Sequence, residues 1–193
     1  MQYICEKIRI MGAQAGAVTS IELGKTAYAV RKKVRTDNLV KLKNGLYIKP
    51  ENLAVSIPDI GKIVPGGVLC LYSAWAHYNL STQIPTATFV AIERSRKVSV
   101  PDYPPITLCY WTEKYCSTGV ITIDAGGYEV KIFDLEKSVC DAVRFRSKIG
   151  MDVCAEILKN YLMRNDKNIS RLFAYADGLR VGRVLKSYLE MEL

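Results

Sequence analysis

Three observations place this 193-residue sequence in the α+β class. β-branched runs separated by turn residues fill the middle of the chain. Segments with helical spacing of apolar residues then follow without a return to strand, and strands followed by a run of helices mark α+β and not alternating α/β. The first fifty residues have a pattern of their own, short helices and an Asn-Gly hairpin, and they carry almost all of the net charge.

That charge is +8 in total. Residues 1–50 hold ten Lys and Arg against three Asp and Glu, so +7 of it lies there. A basic excess confined to one small segment is the electrostatic footprint of a polyanion binder. The elements of the segment agree with this. Tyr3 to about Ala15 is expected as a first helix, with Ile4, Ile8 and Met11 on one side. Thr19-Ser20-Ile21-Glu22 has capping-box spacing, in which side chains at both ends satisfy orphan backbone N–H groups. Gly24 breaks that short helix, and a second is expected from about Lys25. Its Ala27, Val30 and Val34 fall on one face. The opposite face carries Lys25, Tyr28, Lys32 and Thr36, with Lys33 and Arg35 at its flanks. Leu39–Lys43 and Leu46–Lys49 flank Asn44-Gly45, the strongest two-residue hairpin signal, for which a type I′ turn with two positive φ angles is expected. The hairpin arms carry Lys41, Lys43 and Lys49. Helix, turn, helix and basic hairpin make a winged helix-turn-helix. Double-stranded DNA is then the expected partner, contacted by Lys25, Tyr28, Lys32, Lys33 and Arg35 of the helix and by Lys41, Lys43 and Asn44 of the wing.

Residues 51–66 form the expected connection between this unit (1–50) and an α+β part (67–193). The stretch holds Pro58 and Pro65, follows Pro50 and ends at Gly66-Gly67, and PDIGKIV in its middle suits one helical turn. A buried helix is expected over about Ser73–Tyr78, with His77 as a packed residue. Strands are expected at Ala87–Ile92, Ile106–Thr112, Gly119–Asp124 and Tyr128–Phe133, in a small mixed sheet, mostly antiparallel, packed with a C-terminal helical group. Asp134 then caps a helix with the inward stripe Leu135, Val139, Ala142 and Val143. Gly150 ends it. The next helix, from about Met151 to Met163, turns Val153, Ile157, Leu158, Tyr161 and Leu162 inward. Asn168 or Ser170 caps a third, closed by Gly178, and a last one runs from about Leu179.

Several function classes lose support. No apolar run approaches the ~20 residues of a membrane span, and charges interrupt the N-terminal apolar stretch, so a cytoplasmic protein is expected. Six cysteines with no C-x-x-C and a single histidine speak for reduced, mostly buried thiols and against zinc. G-x-G-x-x-G, Walker A and G-x-S-x-G patterns are absent, and no cofactor is expected. One catalytic string stands out. Asp124 with Glu129 and Lys131 across a hairpin has the form of a metal-dependent nuclease site, two carboxylates for Mg²⁺ and a lysine for the attacking water. The same string arises on solvated hairpins. Arg94, Arg96 and Lys97 form a second basic cluster, either a solvated loop or a further contact to the nucleic-acid backbone.

Beyond these local readings, the order of parts resembles the AbiEi-like antitoxins and transcriptional regulators of type IV (AbiE) toxin–antitoxin systems. The similarity runs nearly the full length. It lies in the N-terminal unit ending LVKLKNGLYIKP, then PGGVLCLYSAWAHYNLS, the strand TFVAI, the passage GYEVKIFDLEKSVCDAVRF and the three closing helices, with GLYIKP and FDLEKSVCD its most specific parts. The resemblance implies a DNA-binding N-terminal domain that represses its own operon, as one copy or as a homo-oligomer. It also implies a C-terminal domain that counters a nucleotidyltransferase toxin, with no catalysis of its own.

Overall fold

The computed structural model describes residues 17–24, 26–52, 59–125 and 127–192. The helix expected over Tyr3–Ala15 lies outside the described residues.

The N-terminal elements are β1 (Val18–Thr19), α1 (Ser20–Leu23), α2 (Ala27–Thr36), β2 (Val40–Lys43) and β3 (Leu46–Ile48). β3 lies between β1 and β2 and is antiparallel to both. The capping box forms: Glu22 N donates to Thr19 Oγ1, and Thr19 N donates to the Glu22 carboxylate at 2.5 Å. α2 begins two residues later than expected, because Thr26 Oγ1 accepts the Ala29 N–H and takes the N-cap. Gly24 lets α1 and α2 close on each other, since a Cβ there would stand 2.8 Å from Ala29 Cβ. Ala29, Val30 and Val34 are therefore the half-buried residues of α2, and Ala27, expected inside, is exposed.

The Asn44-Gly45 turn also departs from expectation. Only Gly45 takes positive φ (+78°), and the β2–β3 register slips by one residue between Lys41 and Lys43. A single left-handed glycine with a bulge supplies the strand twist that a type I′ turn would have supplied.

After a 3₁₀ turn at Pro50–Asn52 comes α3 (Ile60–Ile63), capped by the Asp59 side chain, which accepts the Lys62 N–H. The remaining elements are β4 (Val68–Leu69), α4 (Leu71–His77), β5 (Thr88–Glu93), β6 (Ile106–Trp111), α5 (Glu113–Ser117), β7 (Val120–Asp124), β8 (Glu129–Phe133), α6 (Leu135–Ile149), α7 (Met151–Leu162), α8 (Ile169–Gly178) and α9 (Gly182–Glu192). The second sheet has the order β6-β5-β4-β8-β7. β4–β5 and β7–β8 are antiparallel and β5–β6 and β4–β8 are parallel, so the sheet is mixed, as expected, but with as many parallel as antiparallel pairs where antiparallel ones were expected to dominate. The reason is β4. This two-residue strand, too short to show a period, inserts between β5 and β8, while the 94–105 loop is long enough to bring β6 back parallel to β5.

The central strands β4 and β5 are covered on both faces, which explains why they are nearly continuous apolar runs. Val68, Ala91 and Phe133 face one cluster with Trp75, Val139, Val143, Ile157, Leu158, Tyr161, Leu172 and Leu185 from the helical group. Leu69, Val90, Ile92, Val130 and Ile132 face a second cluster, shared with Leu42, Leu46 and Ile48 of the N-terminal sheet and with Ile60 and Ile63 of α3.

Helix α6 is the centre of the helical layer. Asp134 Oδ1 accepts the Lys137 N–H at 2.8 Å, as its N-cap position predicts. Lys137 and Asp141, one turn apart, are wholly buried and joined, with Nζ 2.6 and 2.7 Å from the two carboxylate oxygens. The Lys137 ammonium also lies over the Phe133 ring at 4.3 Å and the Trp111 ring at 4.9 Å. Burial pushes the Asp141 carboxyl up, and the adjacent Lys137 opposes that push. Glu136 is buried too, accepting from Asn168 N at 3.0 Å and from the Tyr161 hydroxyl at 3.4 Å. Asn168, not Ser170, caps α8. The five described cysteines are free thiols, three of them buried.

Candidate nucleic-acid interface

The exposed side of α2 follows from its half-buried residues. With Ala29, Val30 and Val34 turned inward, the row on the far side is Tyr28, Arg31, Lys32 and Arg35, at i, i+3, i+4 and i+7. All four are exposed, Tyr28 to 76%. Arg31 belongs to this row although the sequence reading left it out. The signal for it was present, because Arg31 stands three residues after Tyr28 and four before Arg35. Lys33 is exposed toward another side, where it borders a groove with Thr36, Asp37 and Lys49. Lys25 lies outside the described residues. Among the described residues, no ion pair engages Arg31, Lys32, Lys33, Arg35 or Lys41. Such cations are free to exchange water for phosphate oxygens.

The hairpin is tied to β1 and α1, the two elements that precede this helix. Ser20 N donates to Gly45 O at 2.7 Å, and β1 pairs Val18 with Tyr47 and Thr19 with Leu46. Lys41 and Asn44 are exposed on the hairpin. Lys43 is turned the other way. Its ammonium donates to Ile63 O at 2.5 Å, at the carbonyl end of α3, and burial lowers its pKa. Of the eight residues expected on the interface, Tyr28, Lys32 and Arg35 thus share one helical face. Lys33 flanks them, Lys41 and Asn44 stand on the hairpin, and Lys43 is committed to an internal bond.

The other candidates separate. Asp124 pairs with Glu129 across β7 and β8, as expected, and Lys131 is exposed like both. But Asp124 Oδ1 accepts the Gly127 N–H at 2.7 Å and so holds its own turn. Glu129 borders the groove near Asp59 and Lys62, whereas Lys131 borders a different cleft with Glu93 and Arg96. In the second basic cluster the Arg96 guanidinium donates to Pro65 O and lies against Gly66, while Arg94 and Lys97 are exposed. His77, expected inside, is exposed at the end of α4, edge-on to Tyr78 with ring centroids 4.9 Å apart. No described helix is long and apolar enough to cross a membrane. Compared with protein-family models and with curated proteins, the chain matches none.

Proposed function

We propose that this chain is a cytoplasmic, DNA-binding transcriptional regulator that acts as the antitoxin of a type IV toxin–antitoxin system. In this reading residues 1–50 form a winged helix-turn-helix that holds the promoter of its own operon and represses it. The remainder counters a nucleotidyltransferase toxin, without catalysis. The observation that carries the DNA half is the exposed row Tyr28, Arg31, Lys32 and Arg35, free of ion pairs among the described residues, in a unit whose hairpin also exposes Lys41 and Asn44. A helix of ~10–12 Å diameter fits the ~12 Å major groove, so this face can reach base edges. The order strand, helix, helix, hairpin, with the first strand on the second arm of the hairpin, supports the wing. The antitoxin half rests on the resemblance carried by GLYIKP and FDLEKSVCD.

The test is a binding titration at two salt concentrations, with duplexes from the chain's own promoter region and with scrambled duplexes. Lys41→Ala weakens binding to every sequence alike and lowers the salt slope by about 1. Lys32→Ala costs about 1–3 kcal/mol on the promoter site and much less on scrambled DNA. Affinity unchanged by salt, or by removing Lys32 and Lys41 together, refutes the reading.

A further inference from the structure

The helical side of the second sheet holds a cavity that has no part in the DNA reading. It has a volume of about 520 Å³ and opens between β5, the edge strand β6 and the C-terminal half of α6. Three cations line it: Arg94, Arg144 and Lys148. No Asp or Glu lines it, and none of the three cations is in an ion pair among the described residues. The Arg144 guanidinium lies over the Tyr115 ring at 3.5 Å, and its enclosed Nη1 has no protein acceptor. The wall between the cations is aromatic, with Phe89 and Phe145, and it includes the half-buried thiol of Cys109. Leu71, also on the lining, holds φ +46°, a strained conformation of the kind retained around binding sites.

Like charges gathered around one cavity repel one another, and an anion placed among them turns that repulsion into attraction with charge-assisted hydrogen bonds. A bare oxyanion would leave most of the space empty. The volume falls in the ~300–1,000 Å³ range of sites for larger organic ligands, and the rings offer a flat body an apolar surface. We propose that this cavity binds a nucleoside monophosphate, its phosphate among Arg94, Arg144 and Lys148 and its base against Phe89 and Phe145.

Calorimetric titration of the full chain tests this, using the common ribonucleoside 5′-monophosphates, the corresponding nucleosides, inorganic phosphate and benzoate. At least one monophosphate is expected to bind with Kd below about 1 mM, and its nucleoside, phosphate alone and benzoate at least about tenfold more weakly. Arg94→Ala with Lys148→Ala removes two exposed cations and leaves the packed Arg144 in place. This pair should weaken binding about 100-fold, about tenfold for each lost charge-assisted bond. Arg31→Ala with Lys32→Ala should leave binding unchanged, which separates this site from the basic face of α2. A saturating monophosphate should also slow alkylation of Cys109 by iodoacetamide. The proposal is overturned if no monophosphate binds, if benzoate binds as well, if the Arg94/Lys148 pair leaves affinity unchanged, or if Cys109 reacts at the same rate with and without the nucleotide.

Discussion

Helix α2 turns Tyr28, Arg31, Lys32 and Arg35 outward and fully buries none of its side chains, whereas helix α6 buries nine residues, Glu136, Lys137, Ser138 and Asp141 among them. Both helices are rich in charge. On α2 the cations keep their water, so each contributes little to folding and remains available to a polyanion. Along the buried first half of α6, Leu135 to Val143, water is excluded, so each charge needs a protein partner, and Lys137 has both oxygens of Asp141. The difference is one of context and not of residue type. A lysine and an aspartate four apart read as a solvated i,i+4 pair in any sequence, and only the packing of Trp111, Phe133 and the neighbouring helices makes this pair internal.

The largest test of the contrast is stability. Asp141→Ala leaves the Lys137 ammonium buried and alone, and should lower the unfolding free energy by about 3–5 kcal/mol in a urea titration. Removing Arg31, Lys32 and Arg35 together should change it by less than about 1 kcal/mol. Equal losses would dissolve the distinction between the two helices. Lys43 sharpens it from the other side, because it lies in the basic segment yet behaves as an internal residue. Lys43→Met should cost about 1 kcal/mol of stability and change the salt slope of DNA binding less than Lys41→Ala does. A slope lowered by a full unit would return Lys43 to the phosphate contacts.

The smallest effect concerns the cap that sets up α1. Hydrogen bonds from the Thr19 backbone and side chain hold the Glu22 carboxyl below its ordinary value, with Lys62 adding to them. Because the folded pKa is depressed, the contribution is present above the unfolded value of about 4.3 and is lost as pH falls through the folded one. Glu22→Gln should therefore be less stable than the parent at about pH 7, and the difference should shrink as the solution is acidified below the ordinary carboxylate range. A difference that persists in acid would assign it to packing.

Much of the fold was legible in the sequence. Asp134 and Asn168 cap the helices expected of them, and four strands lie within about one residue of the expected ends. What escaped has physical reasons. β1 and β4 are two residues each and carry no periodicity. The two parallel pairings depend on where distant segments meet, which no local pattern records. At the candidate interface the basic residues of α2 were legible as a group. Arg31 was missed because the helix was registered from Ala27 as an inward residue. The commitment of Lys43 to Ile63 O could not be read, because its partner lies twenty positions away on a helix of one turn.

That one-turn helix has a mechanical consequence. Asp59 Oδ2 accepts the Ala17 N–H at 3.2 Å, Lys62 reaches Ala17 O at 2.5 Å and Glu22 at 3.4 Å, and Lys43 closes on Ile63. Ile60 and Ile63 meanwhile sit in one apolar cluster with Leu46 and with Leu69, Val90 and Ile132 of the second sheet. Neither sheet can lose its inner layer without stripping the other. The abrupt change of charge near residue 50 therefore need not mark a break in cooperativity. On heating, the two sheets should melt in one step with equal calorimetric and van't Hoff enthalpies, and a second resolved peak would show that the joint is weaker than its bonds suggest.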